Sequence, residues 1–406
     1  VPGAITAATV REAVAAAHRS EWGAVVAATA RLTGELDLAE ECAQEAFARA
    51  VELWPERGIP DRPGAWLTTV AANHARDLLR RQVALRRRLP LLVRDEVTDD
   101  DAAVRADDRL RLIFMCCHPA LAREAQVALT LRLVCGVATV DIARAFLVTE
   151  QTMAARITRA KRKIAAAHIP FRMPDVREMP ARTSAVCDVL YLAFTVGHAS
   201  PGESSGRDLV AAALALTRML QTQVPRDRSV AGLLALMLLI DARRATRDRL
   251  LPDQDRSLWD RAQVEEGLAM LGTAAAGPVD RFAISAAIAA VHAQARTWEA
   301  TDWGRIVDLY DVLGEAWPSP VVELNRAVAI GMRDGPQAGL AAIEAVRDAP
   351  ALDRYAYLPA ARAAFLAGSE RWAEAAAEYD RAAGLTASLA ERARLQEEAS
   401  QARSRA

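Results

Sequence analysis

An all-α fold is what this sequence predicts, and three observations predict it. Alanine and leucine dominate a composition that is 52% hydrophobic, and both are strong helix formers. The β-branched alternation that marks strands is scarce. Apolar residues instead recur at three- and four-residue intervals from one end of the chain to the other, which is the spacing of a helix face. With 406 residues the chain has material for roughly two to four domains.

Composition also excludes several functions. A formal net charge of −1 rules out a globally basic nucleic-acid coat, so any contact with DNA must come from local patches. Five cysteines, Cys42, Cys116, Cys117, Cys135 and Cys187, are odd in number and lack C-x-x-C spacing, which points to buried, inert thiols rather than disulfides or zinc. Cys116-Cys117-His118 cannot converge on a metal from one helix, because adjacent residues point about 100° apart. The six histidines are scattered singly, and no Gly-rich phosphate loop, Ser-His-Asp set or H-E-x-x-H motif is present. No enzyme, metal or cofactor is expected, and His198 with Glu203 and Asp208 is the best residual candidate for a site. The most apolar run, Val230–Ile240, is too short to span a bilayer, and no signal peptide is recognised, so a cytoplasmic protein without a membrane partner is expected.

Taken in order, residues 9 to about 54 read as helices separated by Thr33-Gly34-Glu35, whose glycine supplies the positive φ of a helix end. The second of them, DLAEECAQEAFARAVELW, turns Leu38, Cys42, Phe47 and Val51 inward and displays Glu40, Glu41, Gln44 and Glu45. WPERGIPDRPG, with prolines at 55, 60 and 63, breaks the pattern. AWLTTVAANHARDLLRRQ then carries a core stripe of Trp66, Leu67, Val70, Ala71 and Leu78 opposite Asn73, His74, Asp77, Arg80 and Arg81. From Val83 to Asp107 a basic run gives way to an acidic one, and such charge blocks predict an extended tether.

Beyond the tether, Leu110, Ile113, Phe114, Leu129, Leu131 and Leu133 are expected to pack a helical domain broken at Pro119. Within it, Thr139–Ile164 places Ile142, Ala143 and Phe146, then Met153, Ile157, Ala160 and Ile164, on two short helical faces. That is a helix-turn-helix pattern, with Thr149 placed to cap the second helix. Opposite its apolar stripe lie Gln151, Ala155, Arg159 and Arg162, flanked by Arg156, Lys161 and Lys163, with no carboxylate between Gln151 and Lys163. Such a face suits a DNA major groove, although an isolated basic helix is equally well explained as solvated surface. Lys161 and Lys163 are the only lysines in the chain.

IPFRMPDVREMP, from Ile169, has three prolines and reads as a linker. In the long helical tail, Ala327, Ile330, Gly339, Ile343 and Val346 recur 36 positions later as Ala363, Leu366, Ala375, Tyr379 and Ala382. That offset is near the roughly 34-residue period of tetratricopeptide (TPR) repeats. Stacked helical pairs present a surface for peptides or partner helices, and they serve equally as passive scaffold.

The order of these parts is more specific than any one of them. An acidic helix ending QEAF, a proline-rich loop, a W-L-x-x-V-A-x-N-x-A-x-D-L-L-R-R helix, a charged linker and a helix-turn-helix follow one another. That order resembles the extracytoplasmic-function (ECF) σ factors, promoter-reading subunits of bacterial RNA polymerase. The strings DDRLRLIFMCCHPAL, VLYLAF, LLALMLLIDARR, LPDQDRSLWD, TDWGRIVDLYD and SPVVELNRAVA resemble the ECF group that has a long TPR-like C-terminal extension. The resemblance implies σ region 2 at 1–82, a charged linker at 83–107, σ region 4 at 108–168, a linker at 169–181 and a TPR-like domain at 182–406.

It also implies partners and sites. Asp37, Glu41, Gln44, Glu45 and Phe47 fall where region 2 grips the β′ coiled coil of core polymerase, and region 4 would meet the β flap. Asn73 falls where a base flipped from the melted −10 strand is read, and Arg76, Arg80 and Arg81 would hold phosphates. Gln151, Thr152, Arg156, Arg159, Lys161, Arg162 and Lys163 would contact the −35 duplex of promoter DNA. The tail would regulate, through a peptide or protein partner or by docking on the σ regions. The competing reading is a one-component helix-turn-helix regulator whose TPR-like part senses a ligand or peptide. It would bind an operator without polymerase.

Overall fold

The computed structural model describes residues 7–85, 102–146, 148–198, 204–246, 249–277, 280–386 and 388–406. Every regular element among them is helical, and none of those helices is long and apolar enough to cross a membrane. The chain divides into two compact units, 1–225 and 226–406.

In the first unit α1 (Ala7–Thr33), α2 (Leu36–Arg57) and α3 (Pro63–Leu85) pack on one another as a bundle. Gly34, with φ 70°, ends α1 as its position predicts, and its N–H bonds to the Ala30 carbonyl at 2.8 Å. Three expectations for α2 are corrected, that for Glu40 being taken up with the site below. Val51 is 50% exposed, because the buried face continues instead through Ala50 and Trp54. Pro55 does not break the helix but lies in its last turn. A proline there removes one donor, and the end comes at Gly58 (φ 85°), whose N–H bonds to the Trp54 carbonyl. Trp54 then meets Trp66 edge to face at 5.6 Å, joining the end of α2 to the start of α3.

The tether is helical at its far end, since α4 runs Ala102–Cys116. The acidic stretch before it and Arg86, Arg87 and Arg88 lie outside the described residues. α5 (Arg123–Leu129) leads directly into a π-helical stretch, Thr130–Val134, followed by α6 (Thr139–Ala145) and α7 (Glu150–Ala166). Leu110, Ile113, Phe114, Leu129, Leu131, Leu133, Ile142 and Met153 are fully buried among them, the core the sequence predicts. α8 (Met179–His198) and α9 (Ser204–Gln223) belong to this unit too. Arg182 of α8 donates to the Phe114 carbonyl and Asp188 pairs with Arg123, so α8 is tied to α4 and α5.

The second unit contains α10 (Arg228–Asp241), α11 (Arg261–Ala274), α12 (Arg281–Gln294), α13 (Trp303–Ala316), α14 (Pro320–Asp334), α15 (Pro336–Glu344), α16 (Tyr357–Gly368), α17 (Trp372–Leu385) and α18 (Leu389–Arg405). Each helix packs on its successor. Asp227, Asp260, Asp280 and Asp302 cap the N-termini of α10 to α13 by accepting backbone N–H bonds, each such cap contributing about 1 kcal/mol. The repeated positions fall on α14–α15 and α16–α17, except Val346, which lies just beyond α15. Ala327, Gly339, Ile343, Ala363, Leu366, Ala375, Tyr379 and Ala382 are buried, whereas Ile330 and Val346 are partly so. A Cβ on Gly331 would meet the Phe365 ring at 2.3 Å and the Gly339 Cα at 2.8 Å, so small residues let α14 and α15 touch beneath α16.

One partly buried histidine gives this unit a pH dependence. His292 of α12 lies between Trp298 and Trp303, and burial, then Arg243 and Arg256, lower its pKa to about 4. The folded imidazole is neutral, while in the unfolded chain it takes up a proton near its usual value of about 6.5. Stability from this site is therefore complete above about pH 6.5, falls as the pH drops toward 4 and levels off below, a loss of about 3 kcal/mol. Melting curves of wild type and His292→Phe across that range should diverge, with the variant losing less on acidification.

Candidate nucleic-acid interface

α7 presents the cationic face that its sequence suggests. Thr149 caps it as expected, its Oγ1 accepting the Thr152 N–H at 3.2 Å, and the two threonine hydroxyls are 2.8 Å apart. Met153, Ile157, Ala160 and Ile164 are buried, while Gln151, Thr152, Arg159, Arg162 and Lys163 are exposed. Arg156 is half-buried, its guanidinium 6.0 Å from the centre of the Phe146 ring. Arg159 donates to the Ala155 carbonyl of its own helix at 3.2 Å. The positive charges of Arg159, Arg162 and Lys163 stand together on one exposed helix, with the polar side chains of Gln151 and Thr152 at its N-terminal end.

Lys161 is not on that face. It is 8% exposed, and its Nζ lies 2.5 Å from Glu40 Oε2 and 2.8 Å from Asp37 Oδ1 on α2. Its position foretells this, because Met153, Ile157 and Lys161 are successive i, i+4 positions of the inner face.

On the first bundle, Asp37, Glu41 and Gln44 are exposed, and Glu45 pairs with Arg49 at 2.9 Å. Phe47 is 6% exposed and sits in an aromatic cluster, 5.2 Å from His18 and 5.8 Å from Trp22. It builds the bundle under the acidic surface rather than standing on it. On α3, Asn73 and Arg81 are exposed, Asn73 Oδ1 accepts from Arg76 at 2.8 Å, and Arg80 pairs with Asp77 at 3.5 Å.

Glu40 corrects the sequence expectation that it is displayed with Glu41, Gln44 and Glu45, for it is only 8% exposed. It stands in the buried register of α2 with Leu36, Ala43 and Phe47, and a carboxylate in such a register requires a partner. Besides Lys161 it receives Arg132, whose Nε is 2.6 Å and Nη2 2.5 Å from Oε1. The surroundings of Arg132 close the contact. Trp22 Nε1 donates to the Arg132 carbonyl at 3.2 Å, and Gly136 (φ 72°) has no room for a Cβ, which would meet the Trp22 ring at 2.9 Å. Arg31 pairs with the buried Asp108 at 2.8 Å on the other side. A cavity of about 1000 Å³ opens nearby between α1, the 135–138 turn and α9, lined among others by His18, Arg19, Arg109 and Arg144. Burial, then Arg132 and Arg19, hold the His18 imidazole below its usual value.

All five cysteines are free, four of them buried and Cys135 partly so. Burial pushes Cys117 up to about 12, and burial followed by Glu41 and Glu45 pushes Cys42 up to about 11, so both are protonated at neutral pH. Among the described residues no group of three or more His, Cys, Asp or Glu side chains could hold a metal ion. Glu203, part of the residual candidate beside His198, lies outside the described residues.

Residues 20–84 match the family described as Sigma-70 region 2, and residues 111–164 the family described as Sigma-70, region 4. Residues 182–275 match a family of unknown function, DUF6596. An uncharacterized protein of Rhizobium meliloti (strain 1021) is 42% identical over 382 residues, spanning 88% of this chain and 88% of its own. No solved structure matches the chain significantly.

Proposed function

We infer, from a chain that belongs to one family with the Rhizobium meliloti protein and carries the region 2 and region 4 domains of an ECF-type σ factor, that it is an alternative σ factor. Its domains are those of a non-enzymatic transcription protein. It binds core RNA polymerase through region 2, with Asp37, Glu41, Gln44 and Glu45 of α2 on the β′ coiled coil and Phe47 supporting them from beneath. Region 4 engages the β flap. Asn73 captures a base of the melted −10 strand, whose unstacking costs a few kcal/mol that a polar pocket offsets, while Arg76, Arg80 and Arg81 hold the neighbouring phosphates. Arg159, Arg162 and Lys163 hold the backbone of the −35 duplex, and Gln151, Thr152 and Arg156 supply its base readout.

The observation that carries this reading is the outward cationic face of α7 in the same chain as an acidic region 2 helix. A DNA-binding helix alone would serve an operator-binding regulator as well. The helical pairs α14–α15 and α16–α17, with small residues at their close approaches, support a TPR-like regulatory extension with a peptide or protein partner.

Copurification separates the two functions. Full-length protein mixed with core polymerase should elute with it in gel filtration, and this complex should need moderate salt. A one-component regulator would elute alone and still bind a DNA fragment.

A further inference from the structure

The cavity between α1, the 135–138 turn and α9 carries chemistry that the σ reading does not use. Its volume of about 1000 Å³ lies at the upper end of the range for pockets that enclose a small molecule, roughly 300–1000 Å³. Among its described lining residues the titratable side chains other than Cys135 are His18 and Arg19 of α1, Arg109 of α4, and Asp141 and Arg144 of α6. Three arginines and an imidazole stand against one carboxylate, and Arg144 already engages that carboxylate at 3.0 Å. The lining is therefore cationic.

Arg109 sharpens this. Its Nε is shut off from solvent and has no hydrogen-bond acceptor, and a buried charged donor of that kind calls for an anionic partner. Burial lowers the pKa of its guanidinium, which Cys135 and Glu21 only partly offset. The remaining wall is of a different character. α9 contributes Ala211, Ala212 and Ala215 and no polar group, and Ala16 and Ala138 extend this small apolar surface. A molecule that fits both walls carries negative charge at one end and a flat apolar ring at the other.

We propose that this cavity binds a nucleotide, with its phosphates on Arg19, Arg109 and Arg144 and its base on the alanine surface of α9. Arg144 falls in the stretch that matches region 4, and the α9 alanines fall in the stretch that matches DUF6596. The ligand thus ties the segment of unknown function to region 4. None of the residues assigned to polymerase or promoter takes part, so the inference goes beyond the σ reading and does not depend on it.

Calorimetric titration of the full-length chain with ATP, GTP, adenosine and tripolyphosphate tests the site. ATP or GTP should bind with a Kd below about 100 µM. Adenosine, which lacks the phosphates, and tripolyphosphate, which lacks the base, should each bind about tenfold or more weakly. Arg19 and Arg144 are exposed, so Arg19→Gln and Arg144→Gln should fold normally by circular dichroism and each weaken the nucleotide about tenfold. Ala215→Phe, placed on the exposed part of α9, fills the cavity from its apolar side and should weaken it as well. Binding of neither nucleotide at about 1 mM, tripolyphosphate binding as tightly as the nucleotide, or undiminished affinity in the folded variants each overturns the proposal. So does loss of nucleotide binding on removal of Arg159, Arg162 and Lys163, which would place the polyanion on α7. Each of these outcomes leaves the σ reading standing.

Discussion

Gly23→Ala is expected to drive region 2 and region 4 apart even though it improves α1 as a helix. Alanine in a helix interior is worth about 1 kcal/mol over glycine. The added Cβ, however, would lie 2.2 Å from the Val134 carbonyl oxygen, and that oxygen is backbone within the π-helical stretch. It cannot swing aside as a side chain would, and overpacking of this kind costs about 1–3 kcal/mol or more. The clash exceeds the helix gain. Since the Arg132 and Lys161 pairs to Glu40 depend on the same approach, they break with it. A net loss of about 2 kcal/mol should lower the Tm of the first unit by roughly 4–8 °C. A melting temperature at or above that of wild type would show that α1 does not bear on region 4.

The second large effect belongs to α7. Arg159→Ala, Arg162→Ala and Lys163→Ala together remove exposed charges that pack against nothing in the core. Alanine is the best helix former, so circular dichroism should not change. Removing each phosphate-holding charge should reduce the slope of log affinity against log salt by about 0.9 and weaken binding several-fold, for a combined drop of about 100-fold at moderate salt. Gel-shift titrations of the polymerase complex on promoter DNA at several salt concentrations measure both quantities. A triple variant with the wild-type salt slope would mean that this face meets something other than DNA.

These two sites differ in how visible they are in the sequence. The α7 face is legible because local periodicity separates Met153, Ile157, Ala160 and Ile164 from Arg159 and Arg162, and Thr149 marks the start. Gly34 announces the end of α1 by the same local logic. The Glu40 cluster is not legible as a contact, because its members are 92 and 121 residues apart and only tertiary packing unites them. Two signals nonetheless stand in the sequence: a carboxylate in the apolar register of α2, and a lysine in the apolar register of α7. Phe47 misleads for the complementary reason, since a residue next to an acidic surface can be the aromatic support beneath it. The π-helical stretch at Thr130–Val134 has no signature in composition, and just beyond it the Val137 carbonyl accepts from Arg132 Nη1 at 3.3 Å. Pro55 ends no helix because one missing donor near a C-terminus costs little when Gly58 closes the turn.

Run-off transcription tests the σ reading most directly. Core polymerase with full-length protein on chromosomal fragments should produce transcripts with discrete start sites that core alone does not make, and the α7 triple variant should lose them. Transcripts indistinguishable from those of core alone, from fragments that the protein nevertheless binds by itself, would contradict that account and leave an operator-binding regulator in its place.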